Sequence, residues 1–175
     1  VASWAQAEAL LPLSPARLCV PLEILAEQTA LPAFSGEWCA IFPRVWRDSD
    51  EPQLRAWLAH AKAMGVTAAL SGNLGHLPLL RDSGLTVSGD FGLNVFNSRA
   101  LDYLRRKNLA AACLSFELRF PQMRDMQKVI PAEAIVYGRL PLMITENCLV
   151  QNGTGCRLSE RGAAVPQDAP CRKPN

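Results

Sequence analysis

The stretch Ala63–Leu80, AMGVTAALSGNLGHLPLL, is the longest run of the chain without a charged residue. An apolar run of that length raises the question of a membrane span. Gly65, Gly72, Asn73, Gly75, His76 and Pro78 interrupt it too often for one. The run instead divides into a short strand, Thr67–Asn73, which becomes polar at its end, and a loop. The tight Gly72-Asn73-Leu74-Gly75 turn after the strand suits a strand-to-helix connection.

The same unit recurs on both sides. Apolar runs ending in a polar residue occupy Leu18–Glu23, Cys39–Arg44, Leu85–Asp90, Ala111–Glu117 and Ala134–Arg139. Their starts lie roughly 20 to 30 residues apart, the size of a βα unit. The runs are apolar nearly throughout, which predicts parallel strands buried on both faces. Helix signals fill the intervals. Asp50 with Pro52 predicts a helix start, Leu54, Trp57, Leu58 and Ala61 an apolar face, and Gly65 its stop. Ser98 is expected to cap a second helix that ends in Arg105, Arg106 and Lys107, which suits the helix dipole. Pro121 is expected to open a third, holding Met123, Met126 and Val129. Ala5–Leu11 reads as a helix, with Val1–Trp4 as the remnant of an earlier strand.

Strand–helix alternation without hairpin signals predicts an α/β fold with a parallel sheet. The expected architecture is a (β/α)8 TIM-barrel-like fold, incomplete at about seven βα units, with a Cys-containing loop tail. Residues 1–150 are assigned to the barrel segment and 151–175 to an irregular tail rich in Gly and Pro. An open doubly wound sheet is the runner-up. No GxGxxG follows a strand and no P-loop occurs, so nucleotide folds lack support. A complete barrel typically takes about 250 residues, and this chain has 175 and starts at Val1. It therefore reads as a segment of a larger protein, with the remainder of that chain as a partner.

Charge excludes little but points somewhere. The net charge is +2. The tail from Gln151 sets Arg157, Arg161, Arg172 and Lys173 against Glu160 and Asp168, which accounts for the whole excess. No strongly basic domain announces nucleic acid from charge alone. The N-terminus lacks a signal peptide's basic start and apolar block, so a cytoplasmic protein with no membrane partner is expected.

In a parallel barrel, catalytic groups lie at the C-terminal ends of the strands. Those ends carry Glu23, Arg44, Asn73, Asp90 with Asn94, Glu117 and Arg139. The expected catalytic set is Asp90, Asn94, Glu117 and Arg139. The expected substrate-binding set is Glu23, Arg44, Asn73 and Asn97. Arg44 and Arg139 suit an anion, and Asp90 and Glu117 suit acid–base work. Strands also become polar simply on reaching the surface. His60 reads as a helix-surface or packing residue, and His76 as a loop residue nearer a site. No G-x-S-x-G or H-E-x-x-H occurs, so hydrolysis gains no motif.

The six cysteines divide. Cys19, Cys39 and Cys113 lie in apolar strands, where Cys is usually a small core residue. Cys148, Cys156 and Cys171 follow the last strand. In a chain without secretion signals they read as ligands of an iron–sulfur cluster or zinc rather than disulfides. Unligated loop thiols are the plainer alternative.

Three blocks carry a resemblance. VSGDFGLNVFNS (87–98), LSFEL (114–118) and VYGRLPLMITENC (136–148) are similar to the collagenase-like peptidase family U-32, especially its long bacterial members with an extra domain of unknown function. VPLE (20–23), FPR (42–44) and SGNLG (71–75) fit the same pattern. The resemblance implies a TIM-like barrel. It also implies an enzyme, by name a protease, although several members are linked to oxygen-independent hydroxylation of RNA bases or of a quinone precursor. Those use a four-cysteine [4Fe-4S] cluster, and the RNA enzymes use prephenate as the source of the hydroxyl group. On that resemblance Cys148, Cys156 and Cys171 are metal ligands. Pro141 stands where many members have a further cysteine, and none lies between Cys156 and Cys171. Three functions follow as expectations: iron–sulfur-dependent hydroxylation of an RNA base in tRNA or rRNA, proteolysis of a protein or peptide substrate, or a non-catalytic barrel segment that completes a larger protein.

Overall fold

The computed structural model describes residues 1–141. The chain divides into two compact units, Val1–Val136 and Tyr137–Asn175. In the first, α1 (Trp4–Leu10) precedes β1 (Arg17–Pro21), α2 (Leu22–Ala26), β2 (Glu37–Ile41), α3 (Glu51–Ala63) and β3 (Ala68–Ser71). Then follow α4 (Leu77–Arg81), β4 (Thr86–Gly89), α5 (Ser98–Arg106), β5 (Ala111–Cys113), α6 (Phe120–Asp125) and β6 (Ala132–Glu133).

The six strands form one sheet in the order β1-β2-β3-β4-β5-β6, and every neighbouring pair is parallel. A doubly wound sheet reverses its strand order partway along; this one never does. Parallel crossovers are right-handed, so an unreversed order puts every helix on one face. The other face must then curl on itself. The distances show it. Arg17 on β1 lies 3.4 Å from the Ser88 hydroxyl on β4 and 3.6 Å from Glu133 on β6. At about 4.8 Å per strand, a flat sheet would hold β1 and β6 roughly 24 Å apart. The unit is the expected incomplete TIM-like barrel.

The core lies between the helices and the convex face. Leu18, Val20, Trp38, Ala40, Phe42, Ala69, Val87, Ala112 and Leu114 pack there with Leu22, Leu25, Leu54, Leu58, Leu80, Leu101 and Leu104. Burying an aliphatic side chain contributes about 1.5–3 kcal/mol, so this layer supplies most of the drive to fold. Alternate strand positions turn to the concave face, which therefore carries Arg17, Cys19, Glu37, Cys39, Ser88 and Cys113. The sequence predicts strands apolar nearly throughout; on the concave face Ile41, Ala68, Leu70 and Ala111 keep to that, while Arg17, Glu37, Ser88 and the three thiols interrupt it.

Boundaries differ where pairing overrides pattern. The last strand is Ala132–Glu133, not Ala134–Arg139, because Ala112 N–H donates to Pro131 and Leu114 N–H to Glu133. The Ala111–Glu117 run ends as strand at Cys113, and Leu114 adds only a bridge to Val95. Asn97, not Ser98, caps α5, accepting from Ala100 N–H at 3.0 Å. Asp50 stands at the N-cap position of α3 with Pro52 in the first turn, as expected, but its carboxylate accepts from Arg47 N–H in the preceding turn instead of from the helix. Val1–Ser3 forms no strand, and Ser3 caps α1. α6 holds Met123 but ends before Met126, its extended C-cap residue, and Val129 lies beyond it. No helix among the described residues is long and apolar enough to cross a membrane.

Candidate active site

The loops after β2, β3, β4 and β5 meet at the C-terminal end of the barrel, and two glycines set how closely. A Cβ on Gly92 would stand 2.8 Å from the Gly72 carbonyl oxygen and 3.1 Å from Arg44 Nε. The turn after β4 thus lies directly against the turn after β3, with the Arg44 side chain beside them. Asn73 fixes that turn. Its Oδ1 accepts from Gly75 N–H at 2.8 Å, and its Nδ2 donates to the Arg44 carbonyl at 3.2 Å.

Arg44, so held, lies over the Phe91 ring, 4.8 Å from its centroid. Phe91 meets Phe116 edge to face at 6.0 Å. Asp90 sits at the end of β4 beside Gly72 and accepts from the Phe91 N–H at 2.8 Å. Burial pushes the Asp90 carboxyl above its ordinary range, against the pull of the Phe91 N–H and the Arg44 guanidinium. A half-buried acid that holds its proton more tightly is suited to proton transfer. A guanidinium on an aromatic face, with a second ring at its edge, suits a flat ligand carrying negative charge.

The sequence-read residues fall into three groups. Arg44, Asn73 and Asp90 come together, with Asn73 as a positioning residue for Arg44. Glu23 in the first turn of α2, Asn94 and Glu117 lie on the same C-terminal side. Among the described residues none of the three makes a side-chain bond to the Arg44–Asp90 cluster. Asn94 holds a left-handed turn, and Asn97 uses its side chain as the α5 cap. Arg139 is exposed in the second unit. Cys148, Cys156 and Cys171 lie outside the described residues, and no group of three potential metal ligands occurs among those described.

His76 is not a site residue. It is fully buried between Phe42 and Trp46, with ring centroids 5.3 and 5.2 Å away, and burial lowers its proton affinity. Cys113 is buried, and burial, with Asp90 and Glu133 nearby, pushes its thiol up to about 11. It is protonated at neutral pH and a poor nucleophile. Two residues escaped the sequence reading, Phe91 and Phe116. Their signal was an aromatic directly beside each strand-end carboxylate, Asp90 and Glu117. A separate cleft between α4 and α5, lined by Leu77, Arg81, Tyr103 and Lys107, includes none of the strand-end residues.

A family model described as peptidase family U32 matches residues 39–174. No curated protein and no solved structure matches the chain.

Proposed function

The chain belongs to peptidase family U32, and on that premise we propose that it serves an iron–sulfur-dependent enzyme hydroxylating an RNA base without oxygen. The observation that carries the proposal is Arg44 stacked 4.8 Å over Phe91, beside the half-buried Asp90. A base can stack on Phe91 and Phe116, Arg44 can hold the carboxylate of a prephenate co-substrate or a phosphate, and Asp90 can take or return a proton.

The cluster ligands in this reading are Cys148, Cys156 and Cys171. Thiolates are the right donors for an iron–sulfur cluster, and three of them leave one iron for a ligand other than these. The cluster would supply redox chemistry, which side chains cannot. The chain's own residues bind, orient and move protons. The test is anaerobic purification of the full-length protein with iron analysis and absorption spectroscopy. Iron with a thiolate-to-iron charge-transfer band, lost on substituting Cys148 and Cys156 by Ser, supports the proposal. Iron-free protein after reconstitution removes it.

The family's description favours a second reading, peptide hydrolysis. Asp90 could activate a water there. Cys113 is held protonated and His76 is sealed in the core, so neither makes a nucleophile–base pair with it. Cleavage of a peptide library, abolished by Asp90→Asn, would favour hydrolysis; an uncut library would exclude it.

A further inference from the structure

Cys19 on β1 and Cys39 on β2 occupy directly paired positions of neighbouring parallel strands. Both turn to the concave face, on the same side as the paired Arg17 and Glu37 two residues earlier. The flanking Leu18 and Val20 of β1, and Trp38 and Ala40 of β2, turn the other way, into the apolar layer beneath the helices.

We propose that Cys19 and Cys39 are a thiol pair that a low-molecular-weight disulfide oxidises reversibly to an interstrand disulfide.

The backbone permits the bond. Paired residues on neighbouring strands have Cα atoms about 4.8 Å apart, inside the roughly 4.4–6.8 Å span that disulfides take. The two thiols also differ in a useful way. Cys19 is partly exposed and Cys39 fully buried. Interaction with the Cys39 thiol holds Cys19 below the ordinary thiol range, helped by Arg17, while the same interaction and burial hold Cys39 above it. Because an external disulfide reaches the more accessible sulfur first, Cys19 is the attacking group and the buried Cys39 the resolving one.

The exchange balances with glutathione disulfide as the oxidant. The Cys19 thiolate attacks one glutathione sulfur, breaking its S–S bond and releasing one glutathione thiolate. Cys39 then gives up its proton, and its sulfur attacks Cys19 of the mixed disulfide, releasing the second glutathione. Two protein thiols lose two electrons to form one disulfide. The glutathione disulfide gains them, and the two thiol protons end on two glutathione thiols. Cys113, on β5 and held protonated, is the internal control on the same face.

The experiment treats the folded, reduced full chain with excess glutathione disulfide. Free thiols are then blocked with N-ethylmaleimide, and the peptides are mapped by mass spectrometry. A Cys19–Cys39 cross-link that dithiothreitol reverses is expected. Cys39→Ser should leave glutathione on Cys19, and Cys113→Ser should leave the cross-link intact. Wild-type protein with both thiols alkylated, or with glutathione retained on Cys19, overturns the proposal. So does a Cys19 or Cys39 cross-link to a different cysteine.

Discussion

Arg17 on the first strand reaches Glu133 on the last, with 3.6 Å between guanidinium and carboxylate. The same side chain donates to Glu37 at 2.8 Å and to Ser88 at 3.4 Å. One residue therefore ties four strands of the curled sheet, and its partners raise its already high proton affinity although burial opposes this. Both ends of the Arg17–Glu133 contact are partly in water, so solvent screens it. Arg17→Met should cost about 1 kcal/mol and lower the melting temperature by roughly 2–4 °C. Thermal unfolding followed by circular dichroism reads it. Glu133→Gln alone should cost less, because the tighter Glu37 contact remains.

The two glycines where the loops meet should respond unequally. A Cβ at Gly92 strikes the Gly72 carbonyl at 2.8 Å, whereas one at Gly72 finds its nearest atom at an ordinary 3.5 Å. Gly92→Ala should destabilise by about 1–3 kcal/mol and displace Arg44 from Phe91. Gly72→Ala should be close to neutral in denaturant titration. Equal effects from the two would contradict the close packing of these turns.

Asp90 sets up a trade between stability and chemistry. Its carboxyl is raised in the folded state, so the native protein holds that proton to higher pH than the unfolded chain. The resulting contribution is complete below the ordinary carboxylate range near about 4. It is lost as pH rises through the folded value. Asp90→Asn should therefore stabilise the protein at neutral pH relative to wild type, with the difference vanishing toward pH of about 3, while abolishing activity. Denaturant unfolding at a series of pH values measures this, and a variant less stable than wild type at neutral pH counts against the desolvated carboxyl.

His76 works in the opposite sense. Burial depresses its proton affinity, and its Nε2 has no hydrogen-bond partner among the described residues. The unfolded chain takes up a proton below about 6.5, which the native state resists. Stability is thus full above that pH and declines as pH falls through it. His76→Phe should flatten the decline between pH of about 7 and 5. An unchanged slope in the variant would show that another group causes it.

Much of the fold was legible because βα units announce themselves locally. The apolar runs around Cys39, Ala69 and Val87 each contain a real strand, and Leu54, Leu58 and Ala61 do form the buried face of α3. The last strand slipped because Ala132 and Glu133 are chosen by their partners on β5 rather than by apolar content. The concave face was illegible for a related reason. Cys19, Cys39 and Ser88 sit in runs that look evenly apolar, and only the curl gives the polar positions a common side. At the mouth, Arg44, Asn73 and Asp90 were readable from position. The stacking of Arg44 on Phe91 was not, because it depends on two glycines from different loops meeting.

RNA hydroxylation at the mouth built on Arg44 and Asp90, as proposed above, leaves a mark on the RNA itself. Mass spectrometry of nucleosides tests it most directly, comparing RNA from cells that make the intact protein with RNA from cells whose copy carries Asp90→Asn. A nucleoside heavier by one oxygen atom is expected in the first, absent in the second and also absent with Arg44→Ala. Identical nucleoside profiles from wild-type cells and cells lacking the protein would contradict it.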